Sequence, residues 1–126
     1  MKSTKIIYWT STVLVALMNT YAAYAYLTQE KMVTGFQHLG YPSYFRVELA
    51  LAKVIGVLLL VLPIGARFKE WAYIGFAITF VSAFIAHVSS GDPASMFTAP
   101  LISLVVLGVS YFSFHKLQSV PSVANA

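Results

Sequence analysis

Cysteine is missing from this 126-residue sequence, and charged residues make up only 10% of it. The absence of cysteine excludes disulfide bonds, thiolate zinc sites, iron–sulfur clusters and thiol redox catalysis within the chain. The eight basic residues are scattered singly. Because proteins that bind nucleic acid concentrate basic residues in a patch, often with interleaved aromatic residues, we expect no nucleic-acid partner.

Recognisable catalytic motifs are missing as well. The sequence has no phosphate-binding glycine loop, no H-E-x-x-H zinc motif and no nucleophile elbow. Its three histidines, His38, His87 and His115, do not have the spacing of metal ligands. We therefore expect neither a metal nor a nucleotide cofactor. The sequence leaves enzymatic activity open, and the missing motifs favour a chain that is not an enzyme on its own.

Hydrophobic residues, in contrast, account for 59% of the chain, which is high for a soluble domain. They are concentrated in four stretches, residues 6–27, 44–62, 71–88 and 97–114. Each stretch has about 18 to 22 residues, the length with which an α-helix crosses a hydrocarbon core of about 30 Å. Since unpaired backbone is not tolerated in lipid, the sequence predicts an all-α, polytopic membrane protein, a bundle of four transmembrane helices.

The segments around these stretches complete the predicted organisation. Residues 29–39 repeat hydrophobic side chains at helical spacing, which favours a short helix lying on the membrane surface, with an irregular loop as the alternative. Residues 1–118 are expected to form one transmembrane domain. The small and polar residues 119–126 are expected to form a disordered tail.

The charges that flank the predicted spans indicate the orientation. Five basic residues fall on one side, and two on the other: Lys2, Lys5, Arg67, Lys69 and Lys116 against Lys31 and Arg46. By the positive-inside rule, both termini lie in the cytoplasm.

An alternative interpretation of the first stretch is a secretory signal. Basic residues precede the apolar run, and Ala23-Tyr24-Ala25 has the form of an A-x-A cleavage site. The length of the apolar run and the large aromatic residues around the site favour a retained transmembrane helix.

Few polar side chains fall inside the predicted spans, and they are the natural candidates for function because an ionisable group in a membrane is costly unless it faces the bundle interior. Lys53 lies about nine residues into the second helix, near the bilayer midplane. The candidate residues are Asn19, Glu48, Lys53 and His87, with Asp92 and Arg46 just above them. We expect them to line a polar, ligand-binding cavity in the outer half of the bundle, closed below by Leu58, Leu59, Leu60, Ile78 and Phe80.

Helical geometry suggests the partners of the two charged candidates. Glu48 and Lys53 are about 140° apart on an ideal helix, so they do not form an i, i+4 pair. We predict that Glu48 pairs with His87, and that Lys53 pairs with Asn19 or a tyrosine hydroxyl. The alternative, favoured for Asn19 and His87, is that polar groups only hold the helices together through hydrogen bonds worth about 0.6–2 kcal/mol.

Small residues recur every three or four positions in two of the predicted helices. They are Ala52 and Gly56 in the second helix, and Ala72, Gly75, Thr79, Ala83 and Ala86 in the third. Small residues let two helix backbones approach closely in a membrane, so we predict that these helices pack against each other.

Several short segments occur in an order and spacing that point to a family. They are KIIYW at residues 5–9, HLGYP at 38–42, AKVIG at 52–56, KEWAYIGF at 69–76, and SAFIAH at 82–87 followed by GDP at 91–93. In this order the chain resembles the DoxX-like membrane proteins over about residues 5–115. The resemblance implies a four-helix bundle in the bacterial inner membrane, with Lys53 and His87 on positions of the family pattern.

The functional hypotheses also follow from the resemblance. The family takes its name from a subunit of a thiosulfate:quinone oxidoreductase, other relatives look like membrane partners in redox homeostasis, and an animal branch acts as a receptor-assembly chaperone. The leading hypothesis is an accessory protein or subunit that binds a lipophilic ligand such as a quinone, whose carbonyls accept hydrogen bonds from Lys53 or His87. The alternatives are an assembly or scaffolding protein and, third, a small-solute transporter. Besides the lipid bilayer, the expected partner is another membrane protein or a second copy of the chain.

Overall fold

Five α-helices make up the chain in the computed structural model, which describes the backbone of residues 2–125 and the side chains of residues 2–118. They are α1 (Lys2–Thr28), α2 (Glu30–His38), α3 (Ser43–Val61), α4 (Ala66–Ser89) and α5 (Ala94–Asn125). The predicted all-helical class is confirmed. The segment after α1 is the short helix α2 rather than the irregular loop.

Three of the long helices extend beyond the predicted stretches. Helix α1 begins at Lys2 and α4 at Ala66, and α5 continues past residue 114. The stretches were delimited by hydropathy, whereas a helix continues through charged residues wherever water or other side chains solvate them. The predicted tail, residues 119–126, has side chains outside the described residues and stays a prediction.

Three helices are long and apolar enough to cross a membrane among the residues that the structure describes. They are α1, α4 and the part of α5 from Ala94 to Gln118. Helix α3, with 19 residues, is not among them because it carries three charged residues, Arg46, Glu48 and Lys53.

The four long helices form a ring. Helix α1 packs against α3 and α5, and α4 packs against the same two helices. Neighbouring helices run antiparallel: Tyr8 of α1 stacks on Phe114 of α5, while Thr12, one turn further along α1, meets Ser110, one turn earlier in α5. Helix α2 contacts the ends of α1 and α3 that lie opposite the chain's N-terminus; we call this end of the ring the α2 end.

The centre of the ring is filled by a cluster of aromatic and aliphatic side chains. Its buried members are Tyr8, Val15, Leu60, Ala72, Tyr73, Phe76, Phe80, Leu107 and Phe114. Many other large apolar side chains, such as Leu17, Ile78 and Val105, are more than half exposed. An apolar exterior of this extent is what a lipid solvent accommodates and water does not.

The contact between α3 and α4 is close at one position and open at another. A Cβ atom at Gly56 of α3 would lie 2.7 Å from the Phe76 ring of α4, so any larger residue there would require the ring to move. A Cβ atom at Gly75 of α4 would meet nothing within 4 Å. The predicted close packing is therefore present around Gly56, while near Gly75 the two helices leave a groove.

Candidate functional site

Lys53 and Asn19 form a buried pair between α3 and α1. The Lys53 ammonium (Nζ) donates a hydrogen bond of 2.7 Å to Oδ1 of Asn19. Asn19 in turn donates from Nδ2 to the backbone carbonyl of Val15, one turn earlier in its own helix, at 2.9 Å. This second bond orients the amide so that its oxygen faces Lys53. The contact is one of the two that the sequence predicted for Lys53.

Two aromatic rings complete the surroundings of the Lys53 ammonium. It lies 5.1 Å from the ring centroid of Phe80 and 5.8 Å from that of Tyr26. Both distances are within the range of cation–π attraction. No carboxylate forms an ion pair with Lys53 in the described part of the chain. One amide oxygen and two rings thus hold a cation that is only 5% exposed.

A groove of about 280 Å³ adjoins Lys53 between α3 and α4. We call it the α3–α4 groove; it is lined by Leu49, Ala52, Lys53, Ile55, Gly56, Leu59, Trp71, Ala72, Gly75, Phe76 and Thr79. The hydroxyl of Thr79 donates to the carbonyl of Gly75 in its own helix at 2.8 Å. Lys53 keeps donors to spare beside the groove, since a protonated lysine has three N–H donors and only one is used here.

The predicted Glu48–His87 pair is wrong. The Glu48 side chain is exposed and has no hydrogen bond or ion pair with any described residue. His87 pairs instead with Asp92, five residues further on, through a 2.7 Å contact between Nδ1 and Oδ2. Gly91, with φ of +74°, turns the chain after α4 and so brings the Asp92 carboxylate back to the helix end.

Asp92 also joins His38 of α2. Its second oxygen, Oδ1, lies 2.7 Å from Nε2 of His38. The three side chains form what we call the histidine clasp, which ties α2 to the turn between α4 and α5. The hydrogen bonds from His87 and then His38 hold the pKa of Asp92 below its ordinary value.

The structure therefore does not bring the four residues of the predicted outer cavity together. Asn19 and Lys53 lie together in the core, His87 belongs to the histidine clasp, and Glu48 takes part in neither. Of the predicted floor, Leu60 and Phe80 are buried, whereas Leu58 and Ile78 are exposed on the outer faces of their helices.

A comparison with known protein families identifies the family of the chain. Residues 10–110, from α1 to α5, match the DoxX-like family. This chain belongs to the DoxX-like family. No curated protein and no solved structure matches it. Family membership and the three long apolar helices make the DoxX-like chain a membrane protein in contact with the lipid bilayer.

Besides the Lys53–Asn19 pair and the histidine clasp, the DoxX-like chain has a layer of hydroxyl groups in its core. The sequence patterns did not indicate it. The Ser110 hydroxyl lies 2.6 Å from that of Thr12 and 2.6 Å from that of Tyr73. These three groups connect α1, α5 and α4 at one level. Serine and threonine cause no visible interruption in an apolar stretch, so only the helix rotations given by the structure could have paired them.

Two basic residues of the DoxX-like chain also have roles that were not predicted. Arg46 donates to the backbone carbonyl of Tyr26, next to the end of α1. Lys69 is buried, and its ammonium donates to the carbonyls of Leu60 at 2.6 Å and Leu62 at 3.0 Å. These carbonyls lie at the C-terminal end of α3, where a helix lacks internal donors. Lys69 thus caps α3, and is more than a flanking charge.

The stability that the histidine clasp gives to the DoxX-like chain should depend on pH, because Asp92 titrates. Because folding lowers the pKa of this carboxyl, its contribution to stability is complete above the ordinary value of 3.8 and is lost as the pH falls through the lowered value. We expect wild type to unfold at a higher temperature than Asp92→Asn at pH 6, and the difference to decrease as the pH falls below 3.8. Thermal unfolding in detergent from pH 6 to pH 3 measures this. Glu30→Gln, an exposed acid of α2, is the control, and a pH-independent difference for Asp92→Asn would contradict the expectation.

Proposed function

We propose that this protein spans the bacterial inner membrane with four helices, both termini in the cytoplasm, and binds a lipophilic quinone through Lys53. Helix α3 is the proposed fourth span. At 1.5 Å per residue its 19 residues cover about 28 Å, close to the thickness of a hydrocarbon core. Two of its three charged residues have partners inside the ring, Arg46 at the Tyr26 carbonyl and Lys53 at Asn19.

The absence of cysteine makes the topology directly testable. Single cysteines replacing the exposed Ser3, Gln37 and Arg67 would each be the only thiol in the chain. In intact spheroplasts, a membrane-impermeant maleimide should label Gln37→Cys and leave Ser3→Cys and Arg67→Cys unlabelled. Labelling of Ser3→Cys would contradict the proposed orientation.

The observation that carries the ligand proposal is the position of Lys53 on the wall of the α3–α4 groove with donors to spare. A quinone carbonyl is a hydrogen-bond acceptor without charge, so it can enter from lipid at little desolvation cost and accept a bond from the ammonium. The long lysine side chain has several rotatable bonds, which let the ammonium turn from Asn19 toward the groove.

The size and lining of the α3–α4 groove suit such a ligand. Pockets that enclose drug-sized molecules have about 300–1,000 Å³. At about 280 Å³ the groove lies just below this range, so it accommodates a ring-sized head group while the isoprenoid tail stays among the lipids. Its aromatic wall, Trp71 and Phe76, offers ring faces against which a quinone can stack.

The role that follows is that of an accessory protein or subunit in a redox-linked membrane system. The chain holds no catalytic motif that would use the quinone by itself. An electron donor would then come from a partner protein, as the thiosulfate:quinone oxidoreductase origin of the family name suggests.

The ligand is tested by extraction and by thermal unfolding. We expect quinone in the lipid extract of protein purified in mild detergent, and a higher unfolding midpoint when a short-tailed benzoquinone is added. Lys53→Met removes the donor, and Gly75→Leu fills the groove, where a Cβ atom meets no neighbour. Lys53→Met should weaken quinone binding about tenfold or more, the effect of one charge-assisted hydrogen bond. Gly75→Leu should also weaken binding, because its side chain occupies the space of the head group.

Gly108→Leu is the matched control, because Gly108 is a glycine of α5, also with open space around its Cβ, outside the α3–α4 groove. It should bind quinone as wild type does. An extract without quinone, together with an unfolding midpoint that added quinone leaves unchanged, would overturn the ligand proposal and leave the scaffolding role as the better account.

A further inference from the structure

A second and larger groove lies on the other side of the ring, between α1 and α5. It has a volume of about 550 Å³. We call it the α1–α5 groove; its lining residues are Thr4, Ile7, Leu104, Val105, Gly108, Val109, Phe112, Ser113 and Lys116. A Cβ atom at Gly108 would meet nothing within 4 Å, so this glycine leaves a depression in the surface of α5.

Two hydroxyl groups in this groove have no hydrogen-bond partner among the described residues. Thr4 and Ser113 are each 8% exposed. Neither hydroxyl forms a hydrogen bond with any residue that the structure describes. Other hydroxyls in these helices do bond within their own helix, for example Ser11 to the carbonyl of Ile7 at 2.7 Å. A hydroxyl left unpaired beside lipid costs free energy, so a bound group that supplies acceptors would be stabilised here.

Charge distinguishes the two ends of the α1–α5 groove. Lys116 lines it at the same end as Thr4 and Ser113, and Lys2 and Lys5 lie in the first turns of the adjacent α1. Toward the middle of the helices the lining is apolar, with Leu104, Val105 and Val109. The groove therefore joins an apolar channel to a cationic, hydroxyl-bearing end.

We propose that the α1–α5 groove binds one anionic phospholipid from the leaflet in which α1 begins. An acyl chain lies along the apolar channel beside Gly108. The phosphate accepts hydrogen bonds from Thr4 and Ser113, and Lys116 supplies the positive charge for the anionic head group. A helix from a second copy of the chain would fit this groove less well, because apolar side chains would fill the channel and leave both hydroxyls unpaired.

Native mass spectrometry of the protein released from detergent micelles tests this site. The probes are dioleoyl phosphatidylglycerol and, for comparison, dioleoyl phosphatidylcholine, which has the same chains and no net charge. We expect phosphatidylglycerol to be retained on wild type at about tenfold lower added concentration than phosphatidylcholine, the effect of one additional charge-assisted contact.

Three variants test whether the phospholipid binds in the α1–α5 groove. Gly108→Leu fills the channel, the double substitution Thr4→Val with Ser113→Ala removes the hydroxyls, and Lys116→Gln removes the charge. Gly108→Leu should reduce retention of both lipids, whereas Lys116→Gln should remove only the preference for phosphatidylglycerol. Gly75→Leu, in the α3–α4 groove, and Arg67→Gln, an exposed charge at the same end of the ring, should behave as wild type. Circular dichroism before each measurement confirms that a variant is folded.

Two results would overturn the proposal. One is equal retention of phosphatidylglycerol by wild type, Gly108→Leu and the hydroxyl double variant. The other is a lipid-free dimer of wild type that Gly108→Leu dissociates, which would assign the groove to a second copy of the chain. Since the quinone experiment concerns the α3–α4 groove, neither result depends on it.

Discussion

Replacing Asn19 with leucine should destabilise the protein by about 2–3 kcal/mol, because it leaves the Lys53 ammonium buried without its acceptor. Replacing Lys53 with methionine should cost less, about 1 kcal/mol, since the abandoned Asn19 oxygen is neutral and its amide nitrogen still bonds to the Val15 carbonyl. The two partners of one hydrogen bond are thus expected to have unequal effects.

The double variant separates this explanation from a general loss of packing. With Asn19→Leu and Lys53→Met together, neither a charge nor an acceptor is left unpaired, so stability should return to within about 1 kcal/mol of wild type. Unfolding of the detergent-solubilised protein, followed by circular dichroism, measures all three variants. Thr98→Val, which removes a hydroxyl bonded only to Ala94 of its own helix, is the control. Additive losses in the double variant would show that the pair does not act as a unit.

The second large effect is expected at Lys69. Lys69→Met keeps the length of the side chain and removes the ammonium that bonds to the carbonyls of Leu60 and Leu62. We expect a loss of about 1.5–3 kcal/mol, the range for hydrogen bonds to a charged group. The same unfolding measurement checks it.

Arg67→Met provides the comparison for Lys69. It removes a positive charge two residues earlier in the same helix, from an exposed side chain. A surface substitution of this kind should change stability by no more than about 0.5 kcal/mol. If both variants lost the same amount, the effect would come from the charge at this end of the ring and the cap on α3 would not explain it.

The helices and one polar contact could be predicted from the sequence because each follows from a one-dimensional property. Apolar length determines where a helix can cross a membrane, and residue number within it determines depth. Lys53 and Asn19 lie at similar depths on antiparallel neighbours, and a buried lysine needs an acceptor, so the prediction of their contact was right.

The predicted contact between Glu48 and His87 was wrong because it rested only on their similar depth in the membrane. Both fall near the α2 end of their helices, but contact also requires that the two side chains face each other around the helix axes, and helices of such uniform hydrophobicity give little information about rotation. Asp92 was available to His87 through a local turn, and the sequence Gly91-Asp92-Pro93 after a helix with a histidine in its last turn was the signal that could have indicated it.

The capping role of Lys69 was missed for a different reason. A lysine near the end of an apolar stretch was counted toward the orientation of the chain, as positively charged flanking residues normally are. Its side chain is long enough to reach back to the neighbouring helix, and the turn between α3 and α4 places the free carbonyls of α3 within that reach. The relevant distance is set by the path of the turn, which no residue pattern specifies.

The ring order of the helices separates the two grooves. One lies at the α3–α4 seam and the other at the α1–α5 seam, and in a ring of four these seams are on opposite sides. A neighbouring membrane protein that covers one seam leaves the other facing the bilayer. If a partner protein docks at one flank, the groove at the opposite flank would therefore stay open to small molecules from the lipid.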